Sequence, residues 1–437
     1  MTLSLAKTLT RGALATLMLV AVGCSGATTT SSENATSPDT AAADSQEPVT
    51  ITLAYPYGDL FTDVHKEIIE KFEAENPNID IDLQAPLSNY EELAQRTLVG
   101  ITQRQAPTMS FQGINQVRQF VDAGHAGDLS EFVAADSRWT DGGLYENMMA
   151  LGEFNGKQYA IPFAVSTPIM YYNVELFEQA GLDPENPPQT WPEVLEAAKQ
   201  IQALGGDITG MWYDYLITGN WTYQALVYSK GSSMMDADEA NITFGDETGV
   251  EAASLIRSFV DEGVMQDWSR EQGIESFVSG NVGFYFTSTS SLANLQEKSN
   301  FTLKTALFPT DEGGERRLPT GGNAAVIITD DPAEAKAAYE YAMFAAGPIG
   351  NNIMVNGTGY MPMHKEAVDE AFYAANPNYQ ASIDQIPFIF RWYSFPGENN
   401  LKIIDTIKES LQAVVSGKET PEAAITKAAD KAQDLVK

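Results

Sequence analysis

The chain has 437 residues, of which 43% are hydrophobic and 10% aromatic; this suffices for two or three packed domains and excludes wholesale disorder. It carries 59 acidic and 26 basic residues, a formal net charge of −33, which opposes binding to nucleic acid and to anionic lipid headgroups. One cysteine excludes a disulfide framework, and three scattered histidines argue against a histidine-rich metal centre. The sequence therefore predicts neither a metal site nor a cofactor.

Residues 1–23 have the pattern of an export signal. Two basic residues precede an apolar run that is too short to cross a bilayer as a helix. The run ends at Val22-Gly23-Cys24, which resembles the bacterial lipoprotein processing site, and we expect cleavage before Cys24 and lipid attachment to it. An ordinary secretory signal is the alternative. Residues 24–47 are rich in Ser, Thr, Ala and Asp, and are predicted to be a flexible tether to the outer face of the cytoplasmic membrane.

From residue 48 onward, hydrophobic periodicity predicts alternating strands and helices. The segments 49–55 and 79–83 alternate apolar and polar residues, and between them one apolar stripe runs from Phe61 to Phe72. This β-α-β opening predicts a parallel sheet covered by helices. Later strands are predicted at 106–111, 169–172, 282–286 and 324–328, with a hairpin at 153–162, and later helices at 90–101, 116–123, 190–204, 249–261 and 332–345, before two C-terminal helices. So many elements favour two α/β lobes over one sheet.

Several motifs, in order along residues 49–437, resemble the extracellular solute-binding proteins of ABC importers. The similarity is to the branch that holds the maltose and sn-glycerol-3-phosphate binding proteins. The motifs are Tyr159-Ala-Ile-Pro162-Phe163, Ser166-Thr-Pro168-Ile-Met-Tyr171, Leu318-Pro319-Thr-Gly321-Gly322, Gly357-Thr-Gly-Tyr360-Met-Pro362 and Gly417-Lys-Glu-Thr-Pro421.

This resemblance implies an α/β fold shaped as a two-lobed clamshell. Each lobe is expected to be a mostly parallel sheet flanked by helices, with the solute bound between the lobes and hinge crossings near 162–166 and 319–322. The implied bounds are 48–163 plus about 322–368 for lobe 1, and 164–321 plus about 369–437 for lobe 2.

The resemblance also implies a set of ligand-binding side chains. These are Tyr90, Ser166, Trp221, Ser288, Ser290, Gly322 and Tyr360. A cleft for a polyol needs hydrogen-bonding groups and flat apolar surfaces, which tyrosine, serine and tryptophan supply. Structural roles remain open for Tyr90 as a half-buried residue at a helix start, for Ser166 as a turn hydroxyl and for Gly322 as a conformational glycine. The region of Trp212 and Trp221 could form a stacking wall or pack in a core; the resemblance favours Trp221 as a cleft residue and leaves Trp212 open.

Two positions depart from the pattern of the glycerol-3-phosphate binders. Where those proteins carry an acidic residue, this chain has Gln112 and Asn115. The arginine that the resemblance implies for a phosphate is represented by Arg391, several positions early. Because a phosphate without a cation is poorly held, a neutral sugar, a polyol or a glycerophosphodiester competes as the solute.

The predicted function is that of a lipid-anchored binding protein, not an enzyme. It would capture a glycerol-3-phosphate-like or carbohydrate solute and deliver it to the transmembrane subunits of an ABC permease. A ligand sensor for a signalling receptor would use the same clamshell. An exported glycoside hydrolase would need a pair of carboxylates, but 59 acidic residues identify no pair, and the chain has no nucleophile elbow, HExxH motif or phosphate loop.

Overall fold

Two β-sheets and one short hairpin organise residues 48–436, the part of the chain that the computed structural model describes. The predicted export signal, Cys24 and the tether lie outside these residues. The strands are β1 (Val49–Ala54), β2 (Ile79–Leu83), β3 (Met109–Gly113), β4 (Glu153–Phe154), β5 (Lys157–Gln158), β6 (Ala160–Ser166), β7 (Pro168–Asn173), β8 (Thr209–Tyr213), β9 (Val282–Ser288), β10 (Leu303–Ala306), β11 (Leu318–Ile327) and β12 (Ile389–Arg391).

Helices cover both sheets. They are α1 (Gly58–Glu75), α2 (Tyr90–Gln103), α3 (Val117–Asp122), α4 (Ser130–Ala135), α5 (Glu146–Met149), α6 (Val174–Gln179), α7 (Trp191–Gln202), α8 (Trp221–Ser229), α9 (Glu247–Asp261), α10 (Arg270–Val278), α11 (Leu292–Lys298), α12 (Pro332–Ala346), α13 (Pro348–Gly357), α14 (Glu370–Ala375), α15 (Gln380–Asp384), α16 (Asn400–Val415) and α17 (Pro421–Val436). Within residues 48–436, none of these helices combines the length and apolarity needed to cross a membrane.

The first sheet has the strand order β12-β11-β3-β1-β2, and β6 also pairs with β11. Strands β1, β2 and β3 are parallel, with Ile51 opposite Ile81 and Leu53 opposite Met109. Helix α1 buries its predicted apolar stripe, including Phe61 and Phe72, in the core beside this sheet. The predicted β-α-β opening is therefore confirmed.

The second sheet has the strand order β10-β7-β9-β8 and is mixed rather than mostly parallel. Strands β8, β9 and β10 run in one direction, and β7 runs against both of its neighbours. The reason is that β7 enters this sheet directly from β6, with only Thr167 between them, whereas β8 and β9 each follow helices that return the chain to the same end.

The two crossings predicted from the sequence lie side by side. One is the step from β6 to β7, and the other is the start of β11 after β10. Gly321 pairs with Ser166 and Gly322 pairs with Val165, so the predicted crossing segments are antiparallel neighbours. The predicted strand at 324–328 therefore begins earlier, at Leu318, because the Pro-Gly motif before it pairs with β6 and β12.

Local signals in the sequence are confirmed in two further places. Helix α7 begins after a complete capping box, in which the hydroxyl of Thr190 accepts from the N–H of Glu193 and the Glu193 carboxylate accepts from the N–H of Thr190. The β4–β5 hairpin turns at Asn155 and Gly156, both with positive φ.

Candidate ligand-binding cleft

The carboxyl ends of the parallel strands carry the polar and aromatic side chains of the candidate site. In the first sheet, Tyr57 follows β1 and Tyr90 follows β2; in the second, Asp214 follows β8, while Ser288 and Ser290 lie at the end of β9. Ligands of open α/β sheets bind at this edge because loops there are free of strand pairing. The topology thus places the candidate site between the two sheets.

Tyr57, Tyr90 and Tyr360 form what we call the tyrosine cluster. The Tyr57 and Tyr90 rings meet edge to face, with centroids 5.1 Å apart. Tyr90 accepts a 3.2 Å hydrogen bond from the side-chain amide of Asn323. The Tyr360 hydroxyl lies close enough to those of Tyr90 and Ser290 for both to affect its pKa. Burial raises the pKa of Tyr57 to about 12 and also raises the pKa of the other two phenols, so all three are neutral donors and acceptors at pH 7.

The loop that carries Tyr360 contacts both sheets. Met361 forms an isolated antiparallel bridge with Val165 of β6. Gly359 packs so closely on the loop after β9 that a β-carbon there would lie 2.4 Å from the carbonyl oxygen of Thr289. Tyr360 is therefore held between the sheets by its two chain neighbours.

The sequence left two roles open for Gly322, a conformational one and a place beside the ligand site, and the structure is compatible with both. The φ of Gly322 is +100°, and a β-carbon would lie 1.9 Å from the carbonyl oxygen of Ala164, so the backbone requires glycine. The same β-carbon would lie 3.1 Å from the Tyr360 ring, so Gly322 also borders the tyrosine cluster. Beside it, the fully buried Asn323 has a side-chain oxygen without a hydrogen-bond partner among residues 48–436.

Ser166 and Trp221 meet at the paired crossings rather than in the tyrosine cluster itself. A β-carbon at Gly321 would lie 2.9 Å from the Ser166 hydroxyl and 3.1 Å from the Trp221 ring. The indole N–H of Trp221 donates to the carbonyl oxygen of Pro319 at 3.0 Å, and Trp392 lies beside it with ring centroids 6.4 Å apart. These buried side chains therefore lie at the paired crossings, next to Gly321 and Gly322.

The two predicted serines have different surroundings. The Ser288 hydroxyl caps the turn that follows β9, where it accepts from the N–H of Ser290 at 3.2 Å and lies 2.8 Å from the Ser290 hydroxyl. Ser290 is the one that reaches Tyr360. Ser288 thus positions Ser290.

Arg391 lies apart from these residues. Its guanidinium carbon lies 4.0 Å from the centroid of the Phe154 ring, and its Nη1 donates to the carbonyl oxygen of Glu153. It lines a cavity of about 240 Å³ whose other residues include Arg118 and Glu239. None of the residues that Arg391 contacts belongs to the tyrosine cluster. The reason is that the register of β12 on β11 directs Arg391 toward the β4–β5 hairpin.

An Arg–Asp pair that the sequence analysis did not single out lies at the carboxyl edge of the second sheet. Arg270 Nε donates to Asp214 Oδ2 at 2.9 Å, and the hydroxyls of Thr287 and Tyr285 approach the same oxygen at 3.2 and 3.4 Å. Asp214 is fully buried, whereas the Arg270 side chain is 40% exposed. Arg270 is close enough to Tyr57 of the first sheet for the charge of each to affect the pKa of the other.

Trp212 belongs to the core of the second sheet. It is fully buried and stacks on Tyr285 with centroids 5.1 Å apart. The opposite face is covered by Gly273, where a β-carbon would lie 2.3 Å from the indole ring. Trp212 therefore fixes the backbone near Asp214 and α10 instead of forming a wall of the cleft.

Contacts across the cleft hold the two halves together. The backbone carbonyl of Asn115, after β3, accepts from the Ser394 hydroxyl at 2.9 Å and from the Asn400 amide at 3.2 Å. On α3, Arg118 donates two 2.5 Å hydrogen bonds to the carboxylate of Glu239, which lies between α8 and α9. We call this second contact the Arg118–Glu239 latch.

The departures at Gln112 and Asn115 leave uncharged groups near the cleft. The Gln112 amide donates to Thr97 and Ser110, while its oxygen has no partner among the described residues.

Across residues 48–436, no group of three or more His, Cys, Asp or Glu side chains is arranged to bind a metal ion.

Comparison with known proteins identifies the family. Residues 67–381, more than half of the chain, match the bacterial extracellular solute-binding protein family. The chain belongs to this family. This solute-binding protein is 26% identical over 404 residues to the sn-glycerol-3-phosphate-binding periplasmic protein UgpB of Escherichia coli K12, covering 85% of this chain and 88% of that relative.

Solved structures agree on the two-lobed fold. The structure of UgpB from Mycobacterium tuberculosis in complex with glycerophosphocholine aligns with a TM-score of 0.77 and 23% identity, over 90% of this chain and 98% of that one. The sugar-binding protein MalE from Xanthomonas citri aligns with a TM-score of 0.78 and 17% identity, over 89% and 97%. The fold and the family that the motifs predicted are thereby confirmed for this solute-binding protein.

Proposed function

We propose that this protein captures a small hydroxylated solute, a polyol phosphate or a sugar, and passes it unchanged to the transmembrane subunits of an ABC importer. One observation carries the proposal: hydroxyl groups from both sheets converge on Tyr360, which lies between them. A solute bound there would contact both halves at once, which is how binding energy is converted into closure.

The chemistry of the convergent groups suits a polyol. Neutral phenols, serine hydroxyls and the Asn323 amide can each donate to or accept from sugar hydroxyls, and the tyrosine rings offer apolar faces for C–H groups. The unpartnered oxygen of Asn323 is an acceptor that a solute hydroxyl would satisfy. We assign ligand contact to Tyr90, Gly322, Tyr360 and Ser290, and a bordering role to Ser166, Trp221 and Ser288.

Relatives support the same solute class. UgpB is named for binding sn-glycerol-3-phosphate, one UgpB structure contains glycerophosphocholine, and MalE is described as sugar-binding. These proteins bind rather than transform their ligands, which agrees with a non-enzymatic role here.

Titration calorimetry with sn-glycerol-3-phosphate, glycerophosphocholine and maltose tests the proposal. Tyr360→Phe removes only the hydroxyl that both sheets share and should weaken binding of the preferred solute about 10-fold, the cost of one buried hydrogen bond. Tyr373→Phe, a partly buried tyrosine on α14, is the matched control and should bind as wild type does. No heat with any of the three solutes, or equal affinity for Tyr360→Phe and wild type, would contradict the proposal.

We also propose that residues 1–23 are removed and that Cys24 carries the lipid anchor, which would keep the protein at the cell envelope beside its permease. The support is the sequence pattern at Val22-Gly23-Cys24 and the membership in an extracellular family. Mass spectrometry of the mature N-terminus tests this: an acylated Cys24 is expected, and an unmodified start after residue 24 would remove the anchor.

A further inference from the structure

Three arginines are candidates for holding an anionic solute, and they differ in how their guanidinium groups are engaged. Arg118 uses both terminal nitrogens on Glu239, and Arg391 covers the Phe154 ring and binds the Glu153 carbonyl. Arg270 binds Asp214 through Nε alone, and no residue in the range 48–436 accepts a hydrogen bond from either of its terminal nitrogens. Its guanidinium therefore retains two terminal nitrogens with four N–H groups.

Asp214 holds Arg270 in place. The carboxylate is fully buried, follows β8 directly, and has the hydroxyls of Thr287 and Tyr285 beside the oxygen that accepts from Arg270. A planar guanidinium fixed through Nε presents its remaining N–H groups in one direction, so less conformational entropy is lost when a second anion binds there.

Arg270 lies at the carboxyl edge of the second sheet, because it binds Asp214 directly after β8. Tyr57, its neighbour across the cleft, belongs to the tyrosine cluster and packs on Tyr90. The same edge of the second sheet carries Ser290, which binds Tyr360. Arg270 thus places a cation at the carboxyl edge of the second sheet, while the tyrosine cluster carries neutral hydroxyls beside the first sheet.

We propose that Arg270 is the anion-binding residue of the cleft, that Asp214 is its positioning residue, and that the solute carries a phosphate or carboxylate group beside its hydroxyls. The anionic group would bind the terminal nitrogens of Arg270 in the bidentate manner that guanidinium groups favour. This inference rests on the proposed function and narrows its solute class from sugars in general to anionic polyols.

The experiment compares solutes that differ in charge. Calorimetry on the mature chain would use sn-glycerol-3-phosphate, glycerophosphocholine, glycerate and the neutral solutes glycerol and maltose. Glycerate separates a carboxylate from a phosphate, and glycerophosphocholine separates a diester from a monoester. Arg270→Gln should weaken binding of the anionic solute on the order of 100-fold, because a charge-assisted bidentate contact is lost.

Two further arginine variants identify which cation acts. Arg96→Gln changes a 71% exposed arginine on α2 and should leave affinity unchanged. Arg391→Gln should also leave it within about 3-fold, since that guanidinium is already engaged by Phe154 and Glu153. A large loss in Arg391→Gln together with wild-type affinity in Arg270→Gln would overturn the assignment.

Arg270→Gln leaves the Asp214 carboxylate buried without its cation, which destabilises the fold. Two further variants therefore separate a loss of binding from a loss of folding. Arg270→Lys retains a charge but not the bidentate geometry, and should bind the anionic solute more weakly than wild type and more tightly than Arg270→Gln. Asp214→Asn with Arg270→Gln removes both charges and should bind no anionic solute while melting as one cooperative transition. Tight anion binding by that double variant would overturn the inference.

Failure of the inference is distinguishable from failure of the proposed function. Wild-type protein that binds maltose but none of the anionic solutes would disprove the anion site and leave a sugar-binding protein. Wild-type protein that binds no solute of either kind would disprove both.

Discussion

His65 lies in the core beside the first sheet with its imidazole among aromatic rings. It stacks on Phe163 at a centroid distance of 5.0 Å and meets Phe111 at 4.6 Å and Tyr55 at 4.8 Å. Neither ring nitrogen has a hydrogen-bond partner among the described residues, and the side chain is fully buried. Burial lowers the pKa of His65 from 6.5 to about 3, because a charged imidazole would lose its hydration without gaining a partner.

This residue makes stability depend on pH. Between pH 6.5 and about 3 the unfolded chain binds a proton at His65 that the folded chain does not, so stability falls as pH falls through this window. From pH 7 to pH 5, His65 should cost about 2 kcal/mol at roughly 1.4 kcal/mol per pH unit below 6.5. His65→Phe removes this contribution while keeping an aromatic ring.

Urea unfolding of wild type and His65→Phe at pH 7 and pH 5 measures the effect. The loss of unfolding free energy between the two pH values should be about 2 kcal/mol larger in wild type. Carboxylates titrate in both proteins and cancel in the comparison. Equal losses in the two proteins would mean that the buried imidazole is protonated in the folded state.

The candidate site was predictable where its residues stand in local motifs. Tyr90, Gly322 and Tyr360 lie in segments that resemble the solute-binding family, and that resemblance singled them out. Arg270 was not singled out, because its partner Asp214 lies 56 residues away and only the packing of α10 on the second sheet joins them. Arg391 stands close to the expected position, but strand register turns it away from the tyrosine cluster.

At the scale of elements, β11 is the strand on which the site depends. It pairs with β6, β3 and β12, and its register shifts at Asn323 and Ala324 next to the tyrosine cluster. The extra residue of this bulge is Phe163 of β6, since Asn323 pairs with Ala164 and Ala324 pairs with Pro162. Nearby, a β-carbon on Gly322 would lie 1.9 Å from the carbonyl oxygen of Ala164. The pairing of β11 with β6 is thus irregular at one position, next to the tyrosine cluster.

Replacement of Gly322 by alanine should disturb this strand. A β-carbon meets the Ala164 carbonyl at 1.9 Å and forces a residue with φ +100°, so the free energy of unfolding should fall by about 3 kcal/mol or more. Gly181→Ala is the matched control, because it has φ +77° but no atom within 4 Å, and should cost only about 1–2 kcal/mol. Thermal or urea unfolding measures both, and equal losses would show that β6 moves to accept the methyl group.

Elements with strong periodicity were predictable, whereas their arrangement was not. The apolar stripe of α1 and the capping box of α7 depend on nearby residues and can be read from the sequence. The early start of β11 was missed because Leu318–Gly322 contains proline and glycine, which are typical of loops and are tolerated here by pairing with β6 and β12. The antiparallel direction of β7 follows from the short connection through Thr167 that joins it to β6. Hydrophobic periodicity carries no information about strand direction.

At the scale of the whole molecule, the Arg118–Glu239 latch joins the two halves. Arg118 packs with the first-sheet residues through its neighbours Val117 and Phe120, and Glu239 belongs to the loop beside the second-sheet core. Glu239 also accepts from the Tyr393 hydroxyl at 2.9 Å. The latch should therefore stabilise the closed conformation, in which the solute is enclosed.

Glu239→Gln should weaken the latch and shift the protein toward the open conformation. The apparent affinity for solute should fall about 5-fold, equivalent to about 1 kcal/mol, because a smaller fraction of molecules is closed. Small-angle scattering should show a larger radius of gyration without solute. Glu340→Gln, which removes an ion pair with Arg138 away from the cleft, is the control and should change neither quantity.

If Glu239→Gln keeps both the wild-type affinity and the wild-type radius, the ion pair does not contribute to closure. If affinity falls without a change in radius, Glu239 acts on the solute rather than on the equilibrium between conformations. Both measurements are needed to separate the two effects.

The adjacency of the two crossings has a practical consequence. Because β6 and β11 are hydrogen-bonded where the chain passes between the sheets, we expect the halves to turn about this paired segment, with the greatest displacement at the opposite rim. Cys24 is the only cysteine in the sequence, so a chain expressed from Pro48 has none. One cysteine introduced at that rim would accept a fluorophore at a unique position, and solute concentration would become an optical signal.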